Sequence, residues 1–134
     1  MSPQMLSLLR EAKVIAVVGI SNKPERPSHD VAAYLQAQGY TIVPVNPALT
    51  SVLREPCYPS LSTYGKAVDI VDIFRAPDAV PPIVEEAIAT GAKAVWMQEG
   101  VSHPEAAARA EAAGLLVVED LCIKKVLMTY GGRP

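Results

Sequence analysis

Five short apolar runs, each closed by a turn residue and separated by stretches of helical period, constrain this chain more than any other feature. They are Lys13 to Gly19 (KVIAVVG), Tyr40 to Val45 (YTIVPV), Ala67 to Phe74 (AVDIVDIF), Ala92 to Met97 (AKAVWM) and Leu115 to Val118. All are short and rich in β-branched residues, which favours strands over buried helices. The third alternates apolar residues with Asp69 and Asp72 and also reads as a strand. Between the runs, Ser28 is placed to cap a helix carrying Val31, Ala32, Leu35 and Gln38, stopped by Gly39. Pro77 or Asp78 opens a second, with Val80, Ile83, Val84, Ala87 and Ile88, ended by Gly91. Ser102 is placed to cap a third over His103 to Ala113, ended by Gly114. Residues 3–12 read as a lead-in helix and 120–130 as a final one. Ala48 to Lys66 has no clear period, and Ser60 is placed to start one short helical turn.

Strands that alternate with helices are the signature of βαβ units. The expectation is therefore an α/β chain, a single Rossmann-like doubly wound domain over residues 1–134. Its sheet is mostly parallel and five-stranded, with helices on both faces. Half of the residues are hydrophobic, enough for a packed core.

In such sheets ligands bind at the carboxyl ends of the strands, where the winding reverses. Four segments fall there: Gly19-Ile20-Ser21-Asn22-Lys23, Val45-Asn46-Pro47, Phe74-Arg75-Ala76-Pro77 and Met97-Gln98-Glu99-Gly100. The first has Gly19 alone in place of the Gly-x-Gly-x-x-Gly of dinucleotide sites. It supplies instead Ser21, Asn22, Lys23 and Arg26 ahead of a helix N-terminus. Lys offers phosphate a point charge, Arg a bidentate fork, and the helix end an anion-favouring dipole. Asn46, before Pro47, stands where a NAD site would have an acidic residue for the ribose. Phe74 and Arg75 pair a ring with a guanidinium, a combination suited to an adenine. Gln98 and Glu99 add hydrogen-bonding groups before Gly100, while Trp96 reads as core.

Catalytic groups are sparse. His29 and His103 each stand near a helix start, Glu85-Glu86 reads as a solvated helix face, and no metal-ligand spacing appears. Cys57 and Cys122 show no paired or metal-binding spacing and read as two free thiols of a reducing cytoplasm. A net charge of −2 gives no long-range attraction to nucleic acid or an anionic membrane. The start MSPQMLSLLREAK has no apolar core with a cleavage site, and no apolar run is long enough to span a bilayer.

The segments VVGISNKPERPSHDVAAYL, GYTIVPVNP, VDIVDIFRAPDAVPPIVEEAI, GAKAVWMQEGV and AEAAGLLVVEDLCIKK, in this order, resemble the stand-alone CoA-binding domain proteins. These are related to the amino-terminal CoA-binding domain of the succinyl-CoA synthetase α subunit. The resemblance spans about residues 13 to 125. It implies a Rossmann-like fold that binds coenzyme A through its nucleotide half. On that basis Gly19, Ser21, Lys23 and Arg26 belong to the phosphate loop, and Asn46 and Pro47 flank the adenosine. Phe74 and Arg75 line the groove, and Gln98 and Gly100 lie beside the pantetheine path. The synthetase's phosphorylated histidine stands on a further domain, and neither His29 nor His103 inherits it. The chain departs from the family pattern at His29, where an aromatic is common, and near Arg54, where a Gly is. It departs again at Val118 to Lys124, where MDRCIK is the commoner ending.

The expected function is binding of CoA or an acyl-CoA, as a non-catalytic binding, carrier or sensor module. The alternatives are an NAD(P)-binding protein and a small acyl-CoA-processing enzyme. The first lacks the glycine fingerprint and the acidic ribose residue, and the second lacks an assembled nucleophile and base. A homodimer or an enzyme partner is open on sequence alone.

Overall fold

The computed structural model describes residues 2–134. In chain order its elements are α1 (Pro3–Glu11), β1 (Val14–Val18), α2 (Pro27–Ala37), β2 (Thr41–Val45), β3 (Ser51–Val52) and β4 (Glu55–Pro56). There follow α3 (Leu61–Tyr64), β5 (Ile70–Ile73), α4 (Val80–Ala89), β6 (Ala94–Met97), α5 (Pro104–Ala112), β7 (Leu116–Val118) and α6 (Ile123–Thr129).

The five predicted strands form one parallel sheet in the order β2-β1-β5-β6-β7. The register sets Val17, Asp72 and Trp96 side by side at its centre. Strand side chains alternate between faces, so one face carries Ile15, Val17, Ile42, Ile70 and Trp96 and is covered from α1, α2 and α6 by Leu9, Val31, Leu35, Ile123 and Leu127. The other carries Ala16, Val18, Val71, Ile73, Val95 and Met97 and is covered from α4 and α5 by Val80, Val84, Ala87, Ala107 and Ala110. Each large side chain buried in these layers contributes about 1.5–3 kcal/mol relative to exposure. Pro44, which cannot donate to a ladder, sits on the edge strand β2.

Asp69 ties the amino end of the sheet together. Its Oδ2 accepts from the Lys13 and Val14 N–H groups at 2.8 and 2.9 Å, and Lys93 Nζ lies 3.4 Å from its Oδ1.

Three helix starts differ from expectation. Ser28 does not cap α2: the helix begins at Pro27, whose missing N–H and fixed φ suit a first position, with Arg26 as cap residue. Ser102 does not cap α5: His103 does, its Nδ1 accepting from Ala106 N–H at 3.1 Å, with Pro104 at the first position. Residues Pro77–Ala79 form a 3₁₀ turn that leads into α4. In the stretch without a period, Ser60 caps α3 as expected, but the hairpin β3–β4 was not foreseen. Its turn places Leu53 and Arg54 at φ 52° and 64°, a left-handed conformation normally marked by Gly or Asn. Neither residue type stands there, so the turn carried no sequence signal.

Candidate functional site

The winding reverses between β1 and β5. The chain leaves β1 toward β2 on one side, while β5, β6 and β7 extend on the other. The loops after β1 and β5 therefore diverge, and a groove of about 680 Å³ opens between them. Its walls hold Gly19, Ser21, Lys23 and Arg26 from the first loop, and Phe74 and Arg75 from the loop after β5. Gln98, Glu99 and Val101 come from the segment after β6, Val31 from α2, and Cys122 from the start of α6.

Gly19 is the pivot of this crossing. Its φ is +90°, and a Cβ there would lie 2.3 Å from Phe74 O and 2.8 Å from the Arg75 Cδ. Only glycine lets the loop after β1 lie this close to the one after β5.

The first loop is organised from within. Ser28 Oγ accepts from Ser21 N–H at 2.9 Å, and Ser21 Oγ accepts from Lys23 N–H at 3.1 Å. Asn46 reaches over from the end of β2, where Nδ2 donates to Ile20 O at 2.8 Å and Oδ1 accepts from Ala48 N–H at 2.8 Å. Arg26 gives the first turn of α2 no side-chain hydrogen bond. Lys23, Arg26 and Arg75 are exposed and in no ion pair among the described residues, so three cations face one groove. Arg75 pairs with neither Asp72 nor Glu99. Asp72 is turned into the core, and Glu99 pairs with Lys125 at 2.8 Å.

Beneath the groove lies a polar pair in an apolar setting. Gln98 Nε2 donates to Asp72 Oδ1 at 2.6 Å, and both residues are buried. Asp72 Oδ2 is the one buried side-chain polar atom without a partner among the described residues. Burial lifts the Asp72 carboxyl to about pKa 8, against a smaller opposing effect of the Gln98 hydrogen bond. Sequence reasoning did not select Asp72, yet a signal existed: a central parallel strand is covered on both faces, so any polar residue inside it is buried. Trp96 is core, as read, its Nε1–H donating to Leu121 O at 2.8 Å.

The predicted site residues are only partly brought together. Gly19, Ser21, Lys23, Arg26, Phe74, Arg75 and Gln98 line the groove. Asn22, Asn46, Pro47 and Gly100 do not: Asn46 spends both polar groups on backbone, and Gly100 N–H donates to Asp120 Oδ1 at 2.7 Å. Cys122 and Val31 were not selected, because helix packing alone brings them to the groove. Neither His29 nor His103 lines it. Among the described residues no three His, Cys, Asp or Glu side chains form a metal-binding group, and no helix is long and apolar enough to cross a membrane.

Known proteins are similar to this chain over most of its length. A family model described as a CoA binding domain matches residues 13–128. The Bacillus subtilis protein YneT is 38% identical over 121 residues, covering 90% of each chain. An ADP-forming acetate–CoA ligase of Archaeoglobus fulgidus is 34% identical over 74 residues, 55% of this chain and 11% of the ligase. Among solved structures, a Pyrococcus horikoshii protein superposes with a TM-score of 0.93 at 37% identity, covering 98% of this chain and 94% of its own.

Proposed function

The chain belongs to the CoA-binding domain family, and from that premise we propose that its groove binds coenzyme A, or an acyl-CoA, through the nucleotide moiety. The observation that carries the proposal is the convergence of Lys23, Arg26 and Arg75 on one groove at the start of α2. Phosphates favour a helix N-terminus flanked by cations. CoA carries a 3′-phosphate beyond its pyrophosphate, one more anionic group than NAD offers. Phe74 supplies a half-buried ring beside the Arg75 guanidinium for the adenine. Asn46 takes a supporting part in this reading, holding the phosphate loop through Ile20 O rather than touching ligand.

The module acts as a binder, carrier or sensor and runs no reaction of its own. Both histidines lie off the groove, and His103 Nδ1 is occupied as a helix cap. A cytoplasmic setting belongs to the same reading, in keeping with two unpaired thiols.

Titration calorimetry with CoA, dephospho-CoA, NAD and NADP at one salt concentration tests it. CoA is expected to bind, and loss of the 3′-phosphate to weaken binding about tenfold, about 1.4 kcal/mol. Binding of NAD or NADP with none of CoA overturns the proposal in favour of a dinucleotide site.

A further inference from the structure

We propose that Asp72 is a positioning residue of the groove: it holds the Gln98 amide so that Oε1 faces the ligand and accepts an N–H. The donor class is a secondary amide, as found along the pantetheine arm of CoA. The inference rests on the CoA reading of the groove and deepens it.

A planar amide has two ends. Gln98 Nε2 is committed to Asp72 Oδ1 at 2.6 Å inside the sheet, which leaves Oε1 at the other end. Oε1 takes part in no hydrogen bond among the described residues, yet it is not among the buried atoms left without a partner. It is therefore open, and Gln98 lines the groove. The same groove is lined by Val31, Phe74 and Val101, apolar side chains that lower the local dielectric and strengthen a hydrogen bond made there.

Asp72 is costly for the core. Its register neighbours, Val17 and Trp96, are apolar, and its Oδ2 is buried without a partner. An apolar residue of similar size would avoid that penalty. What the carboxyl provides is an acceptor, and its use is to turn Gln98 the right way round. An acceptor floor repels anions and receives N–H groups, whereas the rim at Lys23 and Arg26 attracts anions. The groove thus changes polarity along its length, as does a ligand with phosphates at one end and amides at the other.

The test compares CoA with 3′-phospho-ADP, its nucleotide half, on the full chain. Asp72→Val removes the acceptor, Gln98→Met removes Oε1, and Asp72→Asn keeps an oxygen facing Gln98. Thermal melts establish that each variant folds, and Asp72→Val is expected to melt at or above the wild type. Asp72→Val and Gln98→Met should each weaken CoA roughly three- to tenfold, the worth of one hydrogen bond, without changing the affinity for 3′-phospho-ADP. Asp72→Asn should retain CoA affinity. Unchanged CoA affinity in both weakening variants, or equal losses for the two ligands, overturns the inference while leaving CoA binding standing. Failure of the wild type to bind either ligand is the distinct result that removes the parent reading, and this one with it.

Discussion

Gln98 Nε2 and Asp72 Oδ1 meet at 2.6 Å between neighbouring strands, beneath a groove lined with cations. The relationship has consequences for stability as well as binding. Burial raises the Asp72 pKa from 3.8 to about 8, so the folded protein holds a proton there that the unfolded chain releases near pH 4. For a raised pKa, the stabilising contribution is complete below the unfolded value and is lost as pH rises through the folded one. Wild-type stability should thus carry a component that falls from about pH 4 to about pH 8, amounting to a few kcal/mol. Asp72→Asn should lack it. Urea midpoints of both proteins at pH 5, 6.5 and 8 check this, and a constant difference between them refutes it.

Asp69 has the opposite sign. Burial pushes its carboxyl up, but the Val14 and Lys13 N–H groups and the Lys93 ammonium outweigh that and hold it below its ordinary 3.8. Its contribution is present above the unfolded value and lost as pH falls through the folded one. Asp69→Asn should cost about 1–3 kcal/mol at pH 7 and progressively less on acidification below about pH 4. Denaturation midpoints across that range report it.

Gly19→Ala should destabilise the fold by at least about 2 kcal/mol. The new Cβ would meet the Phe74 carbonyl, which is backbone held by the Phe74 N–H to Val18 O bond at 2.8 Å. A urea midpoint within error of the wild type would mean that the loops after β1 and β5 can separate freely.

Arg54→Gly should do the reverse. Arg54 is exposed, makes no ion pair among the described residues, and sits at φ 64°. Relief of the left-handed strain should contribute about 1 kcal/mol, a rise of roughly 2–6 °C in Tm. Calorimetric melting curves decide it.

Lys23→Ala and Arg26→Ala should leave Tm nearly unchanged, since both side chains are exposed. Each should weaken CoA roughly three- to tenfold at low salt and less at high salt, because screening already removes part of the attraction there. Titrations at two ionic strengths measure this. Loss of affinity independent of salt would point to a contact other than charge.

Much of the fold was legible because the parallel sheet writes itself into sequence as short apolar runs. Each was found within a few residues, as were the glycine stops after α2, α4 and α5. The helix starts were less legible. Ser28 follows Pro27 and Ser102 stands two residues before Pro104, and the prolines set the first helical positions. The hairpin at Leu53-Arg54 was invisible because its turn residues contradict its backbone conformation.

The site divides along the same line. Lys23, Arg26, Phe74 and Arg75 were legible because strand ends in a parallel sheet point to one edge, and local chain order places them there. Asn46 lies at the same edge, but the tertiary structure turns it onto Ile20 O and Ala48 N–H. Cys122 reaches the groove only because α6 packs against α2, some ninety residues earlier in the chain. The alternation in AVDIVDIF set Asp72 in a strand. Strand order and the register Val17–Asp72–Trp96 decided that this carboxyl is dry and that its partner is Gln98. Periodicity is a local property that each segment carries alone, whereas burial and pairing depend on which segments become neighbours.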